Sequence, residues 1–502
     1  MQTTTDVEKT DAGSNHSGTA ASRNATPVEK FEVTELEPSE DPQNLPKWRK
    51  WLTVLILNAG VICVTGSSSM ASFAEVPTSL EFHVSTEVTT LSISLFVMGL
   101  GVGPLICGPF AEVIGQRIIY LISFFILWVL TWPVAFSHSI AVHMIFRFLG
   151  GLGGSAFLSI AAGTITDMFS DDDVGTPMAA YTISTFIGPN LSPVFSGFIV
   201  QYAGWRWLYY TLIIWEFVQL LALFMVPETS VPILLKWKAQ KLRRTTGDTR
   251  YYAPIEKEKT SLFQKIRIGI WHILELIFHD QMALSLDIWL ALILGIIYLA
   301  FQSFPIIFVN GHGFSNGQLG LTFIGVNIGL AIAMVCQVFF NRVRVRLFKQ
   351  YNHNPPPEVW LGMGKIGAVL VPIGLYIMAF TTFKHVHWIA PIIGTIPFGI
   401  GVCFCYTSTF TYLVTAYRPM AAAAMSGNAV IRTCFAGGFP MFANPMYNRL
   451  GTVGATALLA GLTTVMAPLP FIFAATGEKL RARSRFATKP TTPAAIITSP
   501  EA

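Results

Sequence analysis

Five ionisable side chains fall inside long apolar runs of this sequence: Arg147, Glu216, Asp287, Lys365 and Arg432. Charge is costly in hydrocarbon, so such residues face a protein interior or a wet cavity and become functional candidates. Their chemistries differ. Arginine stays protonated and offers a fixed cation with five donors, so Arg147 and Arg432 can hold an anionic group but cannot carry a proton. A carboxylic acid can take up and release one, which coupling to a proton gradient requires; Glu216, Asp287 and Glu112 are the acids available, and only Glu216 lies deep in its run. Asn58, Gln302, Tyr406, Asn428 and Asn444 add polar groups at depth. Asn428 and Arg432, four apart, share a helical face. Together Asn58, Arg147, Glu216, Asp287, Gln302, Tyr406, Asn428, Arg432 and Asn444 form a candidate lining for a central cavity; for each alone, interhelical hydrogen bonding without substrate contact is the alternative. No catalytic set is visible. The sequence has no H-E-x-x-H and no histidine cluster for a metal, and Gly150-x-x-x-Gly154 lacks the Lys-Ser/Thr and the preceding strand of a phosphate loop. Neither an enzyme nor a bound cofactor is expected.

Such residues need helices to hold them. Of the 502 residues 52% are hydrophobic and 12% charged, against roughly 25% charged in soluble domains. A span needs about 20 mainly apolar residues. Windows of that width give twelve, at approximately 51–72, 89–110, 118–138, 140–166, 178–202, 207–227, 284–308, 321–340, 360–382, 388–414, 421–446 and 453–475. The expected fold is an all-α integral membrane protein, twelve transmembrane helices in two six-helix bundles. All six cysteines fall within these spans without a pairing framework and read as small packing residues. The first 45 residues are polar and lack the apolar core of a cleavable signal, so span one is expected to direct insertion.

Lys and Arg sort between the two sides. One side holds Lys47, Arg49, Lys50, Arg117, the basic segment from Lys236 to Arg250, Arg342 to Lys349, Arg418 and Lys479 to Arg485; the other holds only Arg206, Lys384 and Arg449. The positive-inside rule makes the first side, with both termini, cytoplasmic. The net charge of +5 then reflects topology and contact with anionic membrane lipid, and calls for no nucleic-acid partner. A long basic segment separates two sets of six spans, the repeat logic of many secondary transporters. The expected layout is a disordered cytoplasmic tail (1–46), a first bundle (47–227), a cytoplasmic central loop (228–283), a second bundle (284–476) and a cytoplasmic tail (477–502). The sequons at Asn15 and Asn24 should stay unglycosylated on that side.

Several stretches resemble the major facilitator superfamily, in particular the fungal drug:proton antiporter branch with twelve spans: "DPQNLPKWRKW" (41–51), "GPLICGPFAEVIGQR" (103–117), "RFLGGLGG" (147–154), "GPNLSPVFSG" (188–197), "GWRW" (204–207), "PETSVPILLKWKAQKLRRTTGD" (227–248) and "PLPFIFAATGEKLRARSRFA" (468–487). Any one is weak. Seven in order, from about residue 41 to 487, are specific. The resemblance implies the major facilitator fold and a central site between the halves.

The loop holding Gly108, Glu112, Gly115 and Arg117 is a candidate gate. Its glycines allow close approach and a tight turn, and Glu112 lies where it can pair with Arg117 or a helix N-terminus. It departs from the superfamily pattern, with Glu112 for aspartate and Val113 and Gln116 where basic residues are common. The second half carries Asn341-Arg342 where an acid-arginine pair is expected, and Val174-Gly175 stands where relatives often carry arginine-glycine. In span five Gly188/Pro189, Ser192/Pro193 and Ser196/Gly197 repeat every four residues and line one stripe. Such a stripe lets helices approach closely, while the prolines bend the helix. In the resembled family this helix seals one half against the other in exporters; tight packing without directional meaning is the alternative. Ser192 and Ser196 replace glycines of that pattern. From Arg147, steps of three, four and seven reach Gly150, Gly151 and Gly154, so the arginine should project inward from a nearly bare stripe. It either hydrogen-bonds helix carbonyls or serves as a fixed charge for a carboxylate or substrate. Trp205, Arg206 and Trp207 read as anchors at the membrane boundary, and Asp171 to Asp173 as a solvated or capping run.

The function expected is a plasma-membrane exporter of a small organic compound, such as a secondary metabolite, toxin, drug or polyamine, working as a monomer by alternating access. Proton exchange is carried mainly by the resemblance, with Glu216, Asp287 and Glu112 as the acids available, and relatives often carry an acid where this chain has Gln302. An organic-acid exporter is the alternative within the class, and a non-transporting sensor the alternative outside it.

Overall fold

The computed structural model describes residues 31–170, 173–257, 262–351 and 355–488. The tails 1–30 and 489–502, the two sequons, and Asp171 and Asp172 lie outside the described residues. Ten helical segments are long and apolar enough to cross a membrane. Two local facts turn ten into twelve. Arg206–Leu223 spans 18 residues but contains Arg206, Glu216 and Gln219, which dilute its apolar character. The segment Ala423–Arg483 is broken at Gly451, whose φ of 71° no helix accommodates, so it comprises two antiparallel crossings. The spans in order are Lys47–Phe82, Thr86–Ile114, Gln116–Ala135, Ile140–Met168, Gly175–Ala203, Arg206–Leu223, Gln281–His312, Asn316–Leu347, Leu361–Thr381, Ile389–Ala416, 421–450 and 451–483.

An even number of crossings puts both chain ends on one face, here the terminal face. The first six spans enclose a core around Leu57, Val61, Phe124 and Phe157. The last six enclose one around Trp289, Ile293, Leu375 and Cys403. Spans two and eleven, and five and eight, carry much of the contact between the halves. The cysteines only partly match their expected role: Cys63, Cys403 and Cys405 are buried, but Cys434 is exposed on its helix.

Three expectations change. Span one does not stop near residue 72. It runs through a 3-10 turn, Ala71–Ala74, into Glu75–Phe82, because Ser67, Ser68 and Ser69 satisfy themselves on backbone or buried partners and the helix stays inside the protein. The 228–283 segment is not a loop throughout. It forms helices Val231–Thr246 and Leu262–His279, the latter exposing Phe263, Trp271 and Phe278. Nor is all of 1–46 disordered: Phe31–Glu32 pairs in parallel with Tyr251–Tyr252, and Lys257 binds Glu32 at 2.9 Å. That ammonium and the Tyr252 hydroxyl hold the Glu32 carboxyl below the usual range.

Candidate functional site

Polar side chains inside the spans form three groups rather than one lining. The first lies within the first half. Arg147 is almost wholly buried and donates from Nη2 to the Ser67 carbonyl at 3.1 Å, from Nε to the Ser92 carbonyl at 3.3 Å and from Nη1 to Ser67 Oγ at 3.4 Å, with its guanidinium 4.3 Å from the Phe96 ring centre. Its donors tie span four to spans one and two. One turn away His143, also buried, contacts the hydroxyls of Ser92, Ser137 and Tyr209 at 3.2–3.3 Å. Glu216 is fully buried without a hydrogen-bond partner on either oxygen; the nearby Thr131 hydroxyl is given to the Leu127 carbonyl at 2.9 Å. Asn58 is half-buried with an unpartnered Oδ1. Arg147 and Glu216 thus sit behind the helices that face the second half, because the bare stripe turns inward within its own bundle. A Cβ on Gly151 would stand 2.1 Å from the Phe96 carbonyl, and one on Gly154 would stand 2.7 Å from Val64.

The second group lies in the second half. Asn428 donates to Asp287 at 2.8 Å. One turn along, Arg432 makes no hydrogen bond among the described residues; its guanidinium lies 5.7 Å from the Tyr406 ring centre and 5.3 Å from that of Phe410. Tyr406 donates to the Leu290 carbonyl at 2.6 Å and meets Phe186 of span five edge-on at 4.4 Å. Asn444 is half-buried nearer the opposite face.

The third group joins the halves. Gln302 Nε2 donates to Glu75 Oε1 at 2.5 Å, both side chains buried. Tyr298 contacts Ser68 at 2.8 Å, Asn327 donates to the Asn190 carbonyl at 2.8 Å, and the Gly317 amide donates to Gln201 at 2.9 Å. Nearer the terminal face, Asn341 Nδ2 donates to Thr176 at 2.8 Å, while on the opposite-face side of the cavity Ser94 donates to the Gly437 carbonyl at 2.5 Å. Gly175 gives the otherwise unexplained Val174-Gly175 pair a reason: a Cβ there would stand 2.1 Å from Asn341 Oδ1.

The span-five stripe serves two surfaces. A Cβ on Gly188 would stand 2.0 Å from Thr65 Oγ1, and one on Gly66 2.2 Å from Ser192 Oγ, so the stripe's inner part packs span one in the same bundle. Further out it crosses the divide. A Cβ on Gly197 would stand 2.2 Å from the Asn316 carbonyl, and Pro193 lies under Gly320.

The candidate gate is rebuilt. Glu112 is exposed and makes no ion pair among the described residues, while Arg117 Nη2 donates to the Phe224 carbonyl at 3.0 Å. Glu228, from the segment after span six, takes the role expected of Glu112. It accepts the Gln116 and Arg117 amides at 3.1 Å each, and those of Thr229 and Ser230 at 3.2 and 3.1 Å. A carboxylate at a helix N-terminus is held by unsatisfied amides and the helix dipole. Gln116 extends this seat, donating to Asp167 at 2.9 Å and accepting from Thr164 and Thr229 at 2.7 Å. Gly115, at φ 113°, makes the turn, whereas Gly108 faces open space. Trp205 and Arg206 also differ from plain anchors. Trp205 is buried and donates to Glu81 at 2.8 Å, and Arg206 pairs with Glu81 and reaches the Ala135 carbonyl at 3.1 Å. Trp207 alone is exposed.

Between the bundles at mid-depth lies a cavity with about 400 Å³ of atom-free space, lined by residues that include Thr65, Thr185, Phe186, Tyr298, Arg432 and Thr433. Of the cavity residues expected from the sequence, only Arg432 lines it. A cavity of about 460 Å³ lies mainly among helices of the second half, against Phe304, Phe323 and Tyr447, and carries no charge.

Two helical bundles meeting at a mid-membrane cavity define a membrane carrier. The family model of the Major Facilitator Superfamily matches residues 57–443, and the chain belongs to that transporter superfamily. It is 38% identical to the probable drug/proton antiporter YHK8 of Saccharomyces cerevisiae, over 91% of this chain and 90% of that one. It is 41% identical to efflux pump atB of Aspergillus terreus over 77% and 83%, and 34% identical to the citrinin biosynthesis cluster transporter mrr1 of Monascus ruber over 90% and 91%. Among solved structures, the xylose transporter XylE from E. coli, in a partially occluded inward-open conformation, matches with a TM-score of 0.59 at 14% identity, over 84% of this chain and 98% of that one.

Proposed function

We propose that the protein exports a small organic compound by alternating access, as a carrier and not an enzyme, in exchange for protons, and that it resides in the plasma membrane with both termini cytoplasmic. The observation that carries this reading is the mid-depth cavity flanked by contacts between the halves toward both faces. Its lining, apolar apart from three threonines, Tyr298 and Arg432, suits an organic compound that carries a polar group. Relatives named as efflux pumps and as transporters of biosynthetic clusters support the outward direction and the cargo class. The excess of Lys and Arg on the terminal face supports the orientation.

For proton exchange, Glu75 has the strongest geometric claim among the acids. It joins the halves through Gln302, so separating them on the opposite face frees the carboxyl to exchange a proton with water. Glu216 and Asp287 lie within single halves. The test is efflux of a compound panel from vesicles holding the full chain, with and without an imposed pH gradient. Gradient-driven efflux that Glu75→Gln uncouples supports the reading. If Glu75→Gln, Glu216→Gln and Asp287→Asn all couple like the parent, none of these acids carries the proton, and a flat result across acids, polyamines and drugs would return the chain to the sensor alternative.

A further inference from the structure

We propose that the cargo carries an anionic oxygen group, a carboxylate or an equally acidic enol, on a flat apolar body, and that Arg432 receives it. This deepens the carrier reading and rests on it. Thr65 gives its hydroxyl proton to the Val61 carbonyl at 2.7 Å, Thr185 to the Tyr181 carbonyl at 3.2 Å and Thr433 to the Ala429 carbonyl at 2.8 Å. Ser68 donates to the Thr65 carbonyl at 2.5 Å, so in the 2.8 Å contact between Ser68 and Tyr298 the tyrosine is the donor. Every hydroxyl proton on the lining is therefore committed.

The remaining side-chain donors there are the N–H groups of Arg432. This side chain is 91% buried by its 9% exposure, lines the cavity and makes no hydrogen bond among the described residues. Among the described residues no Asp, Glu, Asn or Gln shares the lining. Asp287 is held by Asn428; it feels the Arg432 charge but forms no ion pair with it. A buried guanidinium with idle donors is costly, and a planar two-oxygen anion fits it in bidentate fashion. Around it stand the rings of Phe186 and Tyr298 and the side chains of Val97, Leu100 and Leu158. That surface receives a flat apolar body, and the guanidinium on the lining repels an ammonium.

The test is binding to the full-length protein in detergent, read as thermal stabilisation, because a ligand that binds only the folded state raises Tm with its concentration. The probes are 2-naphthoate, 2-naphthamide and 2-naphthylmethylammonium, which share a ring system and differ in charge. The expected result is that naphthoate binds at least 10-fold tighter than the other two. Arg432→Gln should weaken naphthoate by roughly 10- to 100-fold, the loss of charged hydrogen bonds, and weaken naphthamide by less than roughly 10-fold, because the glutamine amide still donates to a neutral carbonyl. Arg432→Lys should recover part of the loss, since it restores charge without the fork. Each variant's own Tm without ligand, close to that of the parent, shows that it is folded. Tighter binding of the ammonium, equal or absent binding of all three, or an unchanged naphthoate affinity in Arg432→Gln would overturn the proposal. Vesicle efflux separates it from the reading beneath it. Neutral compounds exported equally by parent and Arg432→Gln, with no preference for acids, would sink the anion proposal and keep the exporter; acid-selective binding with no net transport would do the reverse.

Discussion

Two buried arginines divide the work that fixed charge can do in this carrier. Arg147 spends its donors on the Ser67 and Ser92 backbone and on Ser67 Oγ, so its task is to clamp three helices. Arg432 keeps its donors free at the cavity. Arg147→Lys keeps a cation but loses the fork that spans two carbonyls, and each buried group left unsatisfied costs about 1–3 kcal/mol. The expected outcome is lower thermal stability and lower surface expression, with substrate affinity of the surviving protein unchanged. Thermal unfolding alongside ligand titration checks this, and a pure affinity loss at normal Tm would move Arg147 into the binding site. The sequence showed that both arginines face inward, because lipid excludes them. It did not show into which space, since helix periodicity orients a side chain without naming the neighbouring helix. Glu75 escaped notice for another reason: the run SSSMASFAE is polar enough to end an apolar window, and only the packed fold reveals that the helix continues inside the protein.

Small residues set the spacing of the helices, and two glycines that look alike in sequence do different things. Gly151 faces the Phe96 carbonyl inside the first bundle; Gly197 faces the Asn316 carbonyl across the divide. A methyl at Gly151 forces two helices of a static core apart, at a cost of about 1–3 kcal/mol, so Gly151→Ala should lower Tm. Gly197→Ala can be relieved by rigid separation of the halves, so it should leave Tm nearly unchanged and hold the opposite face open. Labelling of a cysteine placed at Val97, which lines the cavity, by an impermeant reagent added at the opposite face and compared between parent and Gly197→Ala, reads that opening, and unchanged labelling would mean that the stripe packs without gating. The twelve spans were legible because apolar windows of this length have few other uses. The short strand pair between Phe31–Glu32 and Tyr251–Tyr252 was not, for two-residue strands carry no periodicity. Glu228 likewise gave no sign of capping span three, because its partners are backbone amides more than a hundred residues away.

At the scale of the whole molecule, the halves are pinned on both sides of the cavity by different chemistry. Toward the opposite face the pins are the Glu75–Gln302 bond and the Gln201–Gly317 contact; toward the terminal face the pin is Asn341 on Thr176. Alternating access requires that each set break while the other holds, so the balance between the two open states depends on their difference. Removing one hydrogen bond worth about 0.5–1.5 kcal/mol shifts that balance by roughly 2- to 12-fold. Gln302→Ala should therefore populate the state open on the opposite face, and Asn341→Ala the state open on the terminal face. Paired spin labels across each face, read as distance distributions in the full-length protein, would show the two variants moving in opposite senses, with the double variant near the parent. If both variants open the same face, the pins are not opposed and the two-sided gate is wrong. Opposite shifts accompanied by slower efflux in each single variant and recovery in the double would tie the balance of these distant bonds to turnover itself.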